Sequence, residues 1–391
     1  MTEPRLPEWA TWNEAGAANP WTLGVEEEIM LLDPESFELA DRNEDVLAAL
    51  SDDLRGQISA ETHGCAIELA TTPHGTVRGA VEELAELRTI LQKGLEPMGL
   101  RAAVAGTHPF AMGHGTAVSP GDRYREIFES MRELARREPT FAQHVHVAIP
   151  DAETATKVLT RLRVHLPLLL GLSANSPFWR GRDSDMASAR TPVFSSFPRV
   201  GIPRAFDTYA EYVEAIDGLL RLDAVPEPTF VWWDVRLQPR LGTIEVRIMD
   251  AQTRIQDVAA LTAIVQCAVR LESQEKFASS RLSSMPEVLA ENRFLAFRDG
   301  VDGALLDPDH GGAVPTRQWV AELITACEPV AIELDCVEEL AGAEALRQDP
   351  GYTRQRADRA AAHPDQPGRK AELKPVLSEL CDAFTAHTVP S

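Results

Sequence analysis

Polar and apolar positions follow two rhythms along the chain. A period of two marks short strand-like stretches, and a period between three and four marks longer helical ones. Strand-like runs span Thr22 to Leu32, Cys65 to Thr71, Arg101 to Gly106, Ala142 to Ile149 and Leu241 to Met249. After the Pro73-His74-Gly75 break, Val77, Val81, Leu84, Leu87 and Leu91 recur at helical spacing and predict an amphipathic helix. Further helices are expected from Ala152 to about Leu166, from Asp257 through Val269 to about Phe277, and from Thr316 to about Leu340. A last one is expected from near Pro375 to about Thr385.

The alternation of strands and helices is irregular, and neither GxGxxG nor GxxxxGK[ST] occurs, which disfavours dinucleotide-binding and P-loop folds. The expected class is α+β, with helices packed outside a mainly antiparallel sheet. No linker divides the chain, so residues 1–391 are read as one catalytic domain. Thr191 to Phe206 carries three prolines and two arginines and reads as a long ordered loop near a site. The polar segment 341–370 reads as a lid or as a mobile connector to the last helix.

Composition narrows the class of partner. Lys and Arg number 38 against 60 Asp and Glu, a net charge of −22 that repels nucleic acid and anionic membranes. Carboxylates become an asset once a divalent cation reverses the local sign, so acidity is compatible with a metal–nucleotide site. The first residues lack an apolar leader, and the best apolar run, Val258 to Val269, is far shorter than the ~20 residues of a membrane span, so a cytoplasmic protein is expected. Five scattered cysteines without CxxC spacing predict reduced core thiols rather than disulfides or structural zinc.

Candidate chemistry sits on the strand-like runs. In Gly24-Val25-Glu26-Glu27-Glu28-Ile29, alternation places Glu26 and Glu28 on one face, where two like charges are best tolerated around a cation or arginines. The alternative is an edge strand with a solvated acidic face. Glu68 shares its face with the small residues Ala66 and Ala70. His144 and His146 share a face in QHVHV, as metal ligands or as hydrogen-bonding pocket residues. Thr243, Glu245 and Arg247 share a face in TIEVRIMD, either as an internal ion pair or as a metal carboxylate beside a phosphate-binding guanidinium, and Arg236 adds a further strand-borne arginine. Four separate segments presenting oxygen and nitrogen ligands suit a multi-Mg²⁺ phosphoryl-transfer site.

These motifs resemble the type 2 glutamate-cysteine ligase family of carboxylate-amine ligases, related in fold to glutamine synthetase and guanidino kinases. The similar segments, in order, are TLGVEEEIMLLDP (22–34), IELATTPH (67–74), GTHPFA (106–111), RYREI (123–127), QHVHVAIPD (143–151), LSANSPFWRGRDSDMASARTPVF (172–194), WWDVRLQPRLGTIEVRIMD (232–250) and ENRFLAFRDGVDG (291–303). The resemblance implies a funnel of antiparallel strands around ATP and metal. It also implies Mg²⁺, with Mn²⁺ as a substitute, on Glu26, Glu28, Glu68, Glu245 and His144. Arg247 would contact phosphate, with His144 as a further phosphate contact, and Arg247, Arg236 and His146 would serve catalysis. Asn175, Ser176 and Arg190 would lie near the acid substrate or the phosphates. The implied reaction joins a glutamate-like acid to an amine through an acyl phosphate, with small molecules as the partners and a homodimer compatible. A different amine acceptor, a binuclear metallohydrolase built on HVH, and a noncatalytic ATP-binding relative are the alternatives. The metallohydrolase would need further histidines, whereas His108, His114, His310, His363 and His387 fall in loops or helices.

Overall fold

The computed structural model describes residues 6–51, 54, 56–113, 116–362 and 370–386. Its main feature is an antiparallel sheet of seven strands. These are β1 (Leu23–Leu32), β2 (Ile58–Ala60), β3 (Ala66–Ala70), β4 (Arg101–Ala103), β5 (Ala142–Ala148), β6 (Val235–Gln238) and β7 (Thr243–Asp250). Their spatial order is β6-β7-β5-β1-β3-β2, with β4 also paired to β1. β1 bonds β5 over Leu23–Glu27 and β3 over Glu26–Met30, so it is an interior strand and its acids do not line a solvated edge.

One face of the sheet is apolar. Val25, Ile29, Ile67, Leu69, Val145, Val147, Ile244 and Val246 are all buried there, under the Val77–Leu95 and Ile255–Ser273 helices. Each such side chain contributes about 1.5–3 kcal/mol of burial as an upper estimate. The Val77–Leu95 helix begins where Thr76 accepts a hydrogen bond from the Gly79 amide. The Ile255–Ser273 helix is buried on nearly every side, because β5 and the helices Val77–Leu95, Ala152–Leu162, Thr316–Glu333 and Val337–Gln348 surround it.

Several expected elements are divided. The helix expected from Ala152 ends at Leu162, and a second, Leu166–Ser173, begins with Pro167 in its first turn. The helix expected to reach Leu340 splits into Thr316–Glu333 and Val337–Gln348, because Asp335 takes φ 53°, a left-handed turn that stops the first helix. The last helix starts at Lys370, so Pro375 lies inside it. Tertiary burial of Leu373, Val376, Leu377 and Leu380 outweighs the proline's local cost there.

Within Thr191–Phe206, expected as loop, Arg190–Phe194 closes a short helix and Val200–Gly201 pairs with Trp232–Trp233. Segment 341–370 is helical over the end of Val337–Gln348 and over Gly351–Ala362, where Tyr352 and Gln355 are buried; 363–369 lie outside the described residues. No helix among the described residues is long and apolar enough to cross a membrane.

Candidate active site

The second face of the sheet collects the acids and histidines, and strand register sets their neighbours. Arg236 of β6 stands opposite Glu245 of β7, which stands opposite His146 of β5. Glu26 of β1 faces His144 of β5, and Glu28 faces Glu68 of β3, which in turn faces Ser59 of β2. Five strands thus bring Arg236, Glu245, Arg247, His144, His146, Glu26, Glu28 and Glu68 onto one surface.

The distances are those of a connected polar array. His144 Nδ1 lies 3.1 Å from Glu26 Oε2, and His146 Nε2 lies 3.2 Å from Glu26 Oε1. Glu245 accepts hydrogen bonds from Arg236 Nε and from Gln238 Nε2, both at 2.6 Å, and pairs with Arg247. Arg236 also donates to the carbonyls of Thr229 and Val231, so all three of its nitrogens are engaged. Glu28 accepts the Ala142 amide at 2.7 Å. Arg247 Nη1 lies 3.4 Å from His144 Nδ1, and the buried Nε atoms of Arg247 and Arg190 have no hydrogen-bond partner among the described residues.

Electrostatically the array has two halves. Burial works to raise the Glu245 carboxyl, but the guanidinium groups of Arg236 and Arg247 hold it well below the usual range. Burial likewise opposes Glu26, yet the charge on His146 and the hydrogen bond from His144 keep it depressed. Burial prevails at Glu28 and Glu68: Arg190 and Arg247 lower Glu28, and Arg247 lowers Glu68, but from beyond ion-pair distance and too weakly to offset it. Burial and the neighbouring Glu61 push Glu28 up to about 8, and burial with Glu26 and Glu61 pushes Glu68 well above the ordinary value. Burial and Arg247 lower His144 to about 4, so its imidazole is neutral and free to coordinate.

Among the described residues, three sets of side chains bring ligand atoms within 4.8 Å of one another: Glu26, Glu68 and His144; Glu26, His146 and Glu245; and Glu28, Glu61 and Glu68. Above them opens a cleft of about 390 Å³. Its polar side includes Glu26, Glu28, Glu61, Glu68, His144 and Arg247, and its apolar wall includes Ile127, Met131, Phe194, Phe197 and Trp232.

Residues 22–376 match the family model described as Glutamate-cysteine ligase family 2 (GCS2). The chain belongs to this family. Among relatives of this GCS2 chain, "Putative glutamate--cysteine ligase 2-1" of Rubrobacter xylanophilus is 39% identical over 337 residues, 86% of this chain and 89% of the relative. "Putative glutamate--cysteine ligase 2-3" of the same organism is 38% identical over 370 residues, 94% and 98% of the two chains. Among solved structures, the glutamate–cysteine ligase of Francisella tularensis in complex with AMP superposes with TM-score 0.69 at 13% identity, covering 95% of this chain and 90% of that one. A bifunctional glutathione synthetase from Pasteurella multocida gives TM-score 0.68 at 14% identity, covering 93% of this chain and 52% of that one. At these identities the superpositions establish a shared fold. The GCS2 chain is a carboxylate–amine ligase.

Not every residue singled out in the sequence of this GCS2 ligase reaches the cleft. Arg190 and Arg236 line it, whereas Glu245 and His146 are buried behind its lining, and Asn175 and Ser176 are buried beside it and turned elsewhere. Asn175 bonds the Ala251 carbonyl and Gln355, while Ser176 Oγ donates to Asp250 at 2.6 Å. His108 is a backbone fastener, bonding the Phe37 carbonyl and the amides of Phe110 and Ala111, and His310 pairs with Asp307. His114, His363 and His387 lie outside the described residues. Sequence reasoning missed Glu61, His63, Arg123, Tyr124 and Glu138, all of which line the cleft. For Glu61 a signal existed: it keeps the two-residue step of Ser59, which faces Glu68.

Proposed function

We propose that the chain couples ATP cleavage to amide formation, activating the side-chain carboxylate of a glutamate-like acid as an acyl phosphate that an amine then captures. One observation supports this above all: carboxylates and imidazoles from β1, β3, β5 and β7 converge on one face, with Glu61 beside them and two arginine Nε donors unspent.

The donor set fits Mg²⁺, with Mn²⁺ as an alternative ion. One trio is all carboxylate, and the other two add a single imidazole each, without sulfur. The raised carboxyls of Glu28 and Glu68 are what a cluster of acids short of positive charge shows, and a cation would relieve it. Glu26, Glu28, Glu61, Glu68 and His144 would hold the ions, which when bound neutralise charge on phosphate oxygens; Glu245, whose oxygens are taken by Arg236, Gln238 and Arg247, would join them only by giving up one of those partners.

In this scheme Arg247, which lines the cleft, contacts the phosphates through its guanidinium, while Arg236, Gln238 and His146 keep Glu245 and Glu26 in place. A carboxylate oxygen of the acid attacks the γ-phosphorus in line, and ADP departs with the electrons of the broken P–O bond. The amine nitrogen attacks the acyl carbon, phosphate leaves, and the nitrogen loses a proton. The strands around the cleft are read as the wall of a funnel, and the acceptor as cysteine or another amine. No enzyme nucleophile is needed, and all five cysteines are buried.

The test is ADP release with Mg-ATP across a panel of acids and amines, including hydroxylamine as a trap for the acyl phosphate. ADP should form only when an acid is present and should accompany hydroxamate or amide one for one. Nucleotide binding without turnover on any pair, or ATP-independent hydrolysis, would contradict the scheme.

A further inference from the structure

β7 does not run straight past β5. Val246 pairs with Val145, yet Met249 pairs with Gln143, so three steps on β7 match two on β5. The extra residue makes a bulge at Arg247 and Ile248, opposite His144. Bulges disrupt the ladder, leave backbone groups in need of other partners, and re-aim side chains. Here the side chain concerned is Arg247, whose guanidinium enters the cleft.

Arg190 meets that bulge from below. Its Nη1 donates to the Ile248 carbonyl at 3.1 Å and its Nη2 to the Arg247 carbonyl at 3.2 Å. A planar fork with fixed donors holds two successive carbonyls in a set geometry, which the freely rotating donors of an ammonium do not impose. Arg190 is itself held. Its amide donates to Ser176 Oγ at 3.2 Å, and its Nη1 lies 3.9 Å from Asp250 Oδ1. Asp250 is fully buried and accepts from Ser176 Oγ at 2.6 Å, Ser188 Oγ at 2.9 Å and the Asn175 amide at 2.9 Å. Space for that carboxylate requires glycine at 106, since a Cβ there would stand 2.6 Å from Asp250 Cγ.

We propose that Arg190, fixed by Asp250, Ser176 and Ser188, is a positioning residue that clamps the β7 bulge and thereby sets the aim of Arg247 at the transferring phosphate. The inference rests on Arg247 as a phosphate contact. It assigns a role to Ser176 and Asn175 that needs no contact with substrate: they build the seat of the clamp.

A double-mutant cycle on the full chain, with Mg-ATP and the best acid–amine pair, tests it. Arg190→Lys keeps the charge but loses the fork, and is expected to lower kcat about 10- to 100-fold while KM for the acid and amine moves little. In an Arg247→Ala background the same change is expected to cost less than about twofold, because the group it aims is gone. Ser188→Ala, a milder change, should lower kcat about two- to fivefold and lose that effect in the same background. Equal losses in both backgrounds would overturn the inference, making Arg190 a direct ligand or a structural residue, as would wild-type rates in Arg190→Lys. If Arg247→Ala alone left ADP formation unchanged, the phosphate-contact reading would fall first and the inference with it. Additivity on top of an Arg247→Ala loss fells the inference alone. Melting temperature of each variant identifies a change that merely unfolds the protein.

Discussion

Neighbouring residues of one strand show two solutions to the same problem. Glu27 points from β1 to the apolar face and Glu28 to the cleft face, and each is a carboxylate among buried groups. Glu27 is completely buried and meets one dedicated cation, Arg88, whose Nε donates at 2.8 Å and whose remaining donors reach the carbonyls of Thr253 and Gln252 at 3.0 and 2.8 Å. That pair is closed, and nothing is left to bind. Glu28 shares its surroundings with Glu61 and Glu68, and its carboxyl is pushed up to about 8. A buried acid matched by a protein cation is architecture, whereas buried acids in excess of cations leave room for an ion from solution.

The largest effect that separates the faces concerns stability. Arg88→Ala leaves Glu27 uncompensated and is expected to destabilise the fold by about 3–5 kcal/mol in urea unfolding. Glu28→Gln should leave the metal-free protein as stable as before or more so, because it replaces a carboxyl that burial disfavours in its charged form. Equal destabilisation by both would erase the distinction drawn between the faces.

Next in size is a catalytic loss confined to the cleft side. Arg247→Ala is expected to lower kcat per folded molecule about 10²–10³-fold, the magnitude of losing one preorganised donor at a developing charge, and also to lower the melting midpoint, because buried Glu245 loses one of its two guanidinium partners. A normal rate in this variant would show that phosphate charge is met elsewhere.

The pH dependence is smaller and has a definite sign. Glu28 is raised to about 8 from an ordinary 4.5, so between those values the folded chain holds more protons than the unfolded one. Stability of the metal-free protein should therefore be greatest below about pH 4.5, as far as this group is concerned, and fall towards pH 8 at up to about 1.4 kcal/mol per pH unit. Glu68 is raised for the same reasons and adds in the same direction. Mg²⁺ should flatten the slope and release protons on binding, with affinity rising towards pH 8. Melting curves with EDTA and with Mg²⁺ check this, and a metal-free stability that rises over that range would contradict it.

The smallest effect is expected from the thiols. Among the described residues no cysteine lines the cleft, so replacing all five with alanine or serine should leave turnover per folded molecule within about twofold. Loss of turnover in a folded Cys-free variant would call for an enzyme nucleophile and sink the acyl-phosphate scheme.

Strand positions were legible where alternation was strict. The runs expected at Thr22–Leu32, Cys65–Thr71 and Ala142–Ile149 match β1, β3 and β5 to within one residue at each end. Helix ends were less legible, since the stop at Asp335 depends on a left-handed turn by a residue that rarely takes one. Of the cleft, the strand-borne ligands could be found because they repeat every second residue in apolar surroundings. Glu138 and Arg123 could not, because no periodic pattern distinguishes them from the many exposed acids and arginines of this chain.

The direction of a side chain from an extended backbone is a local property, and so the linear order of residues already decided that Glu26 and Glu28, His144 and His146, and Glu245 and Arg247 share faces in pairs. Which pairs become neighbours, and which acid is neutralised, is a matter of long-range packing. Glu27 finds Arg88 across 61 positions, and Ser176 finds Asp250 across 74. Only the assembled sheet and its helices select those partners, because burial removes water from all of the charges at once and leaves each to whatever group the fold has brought within reach.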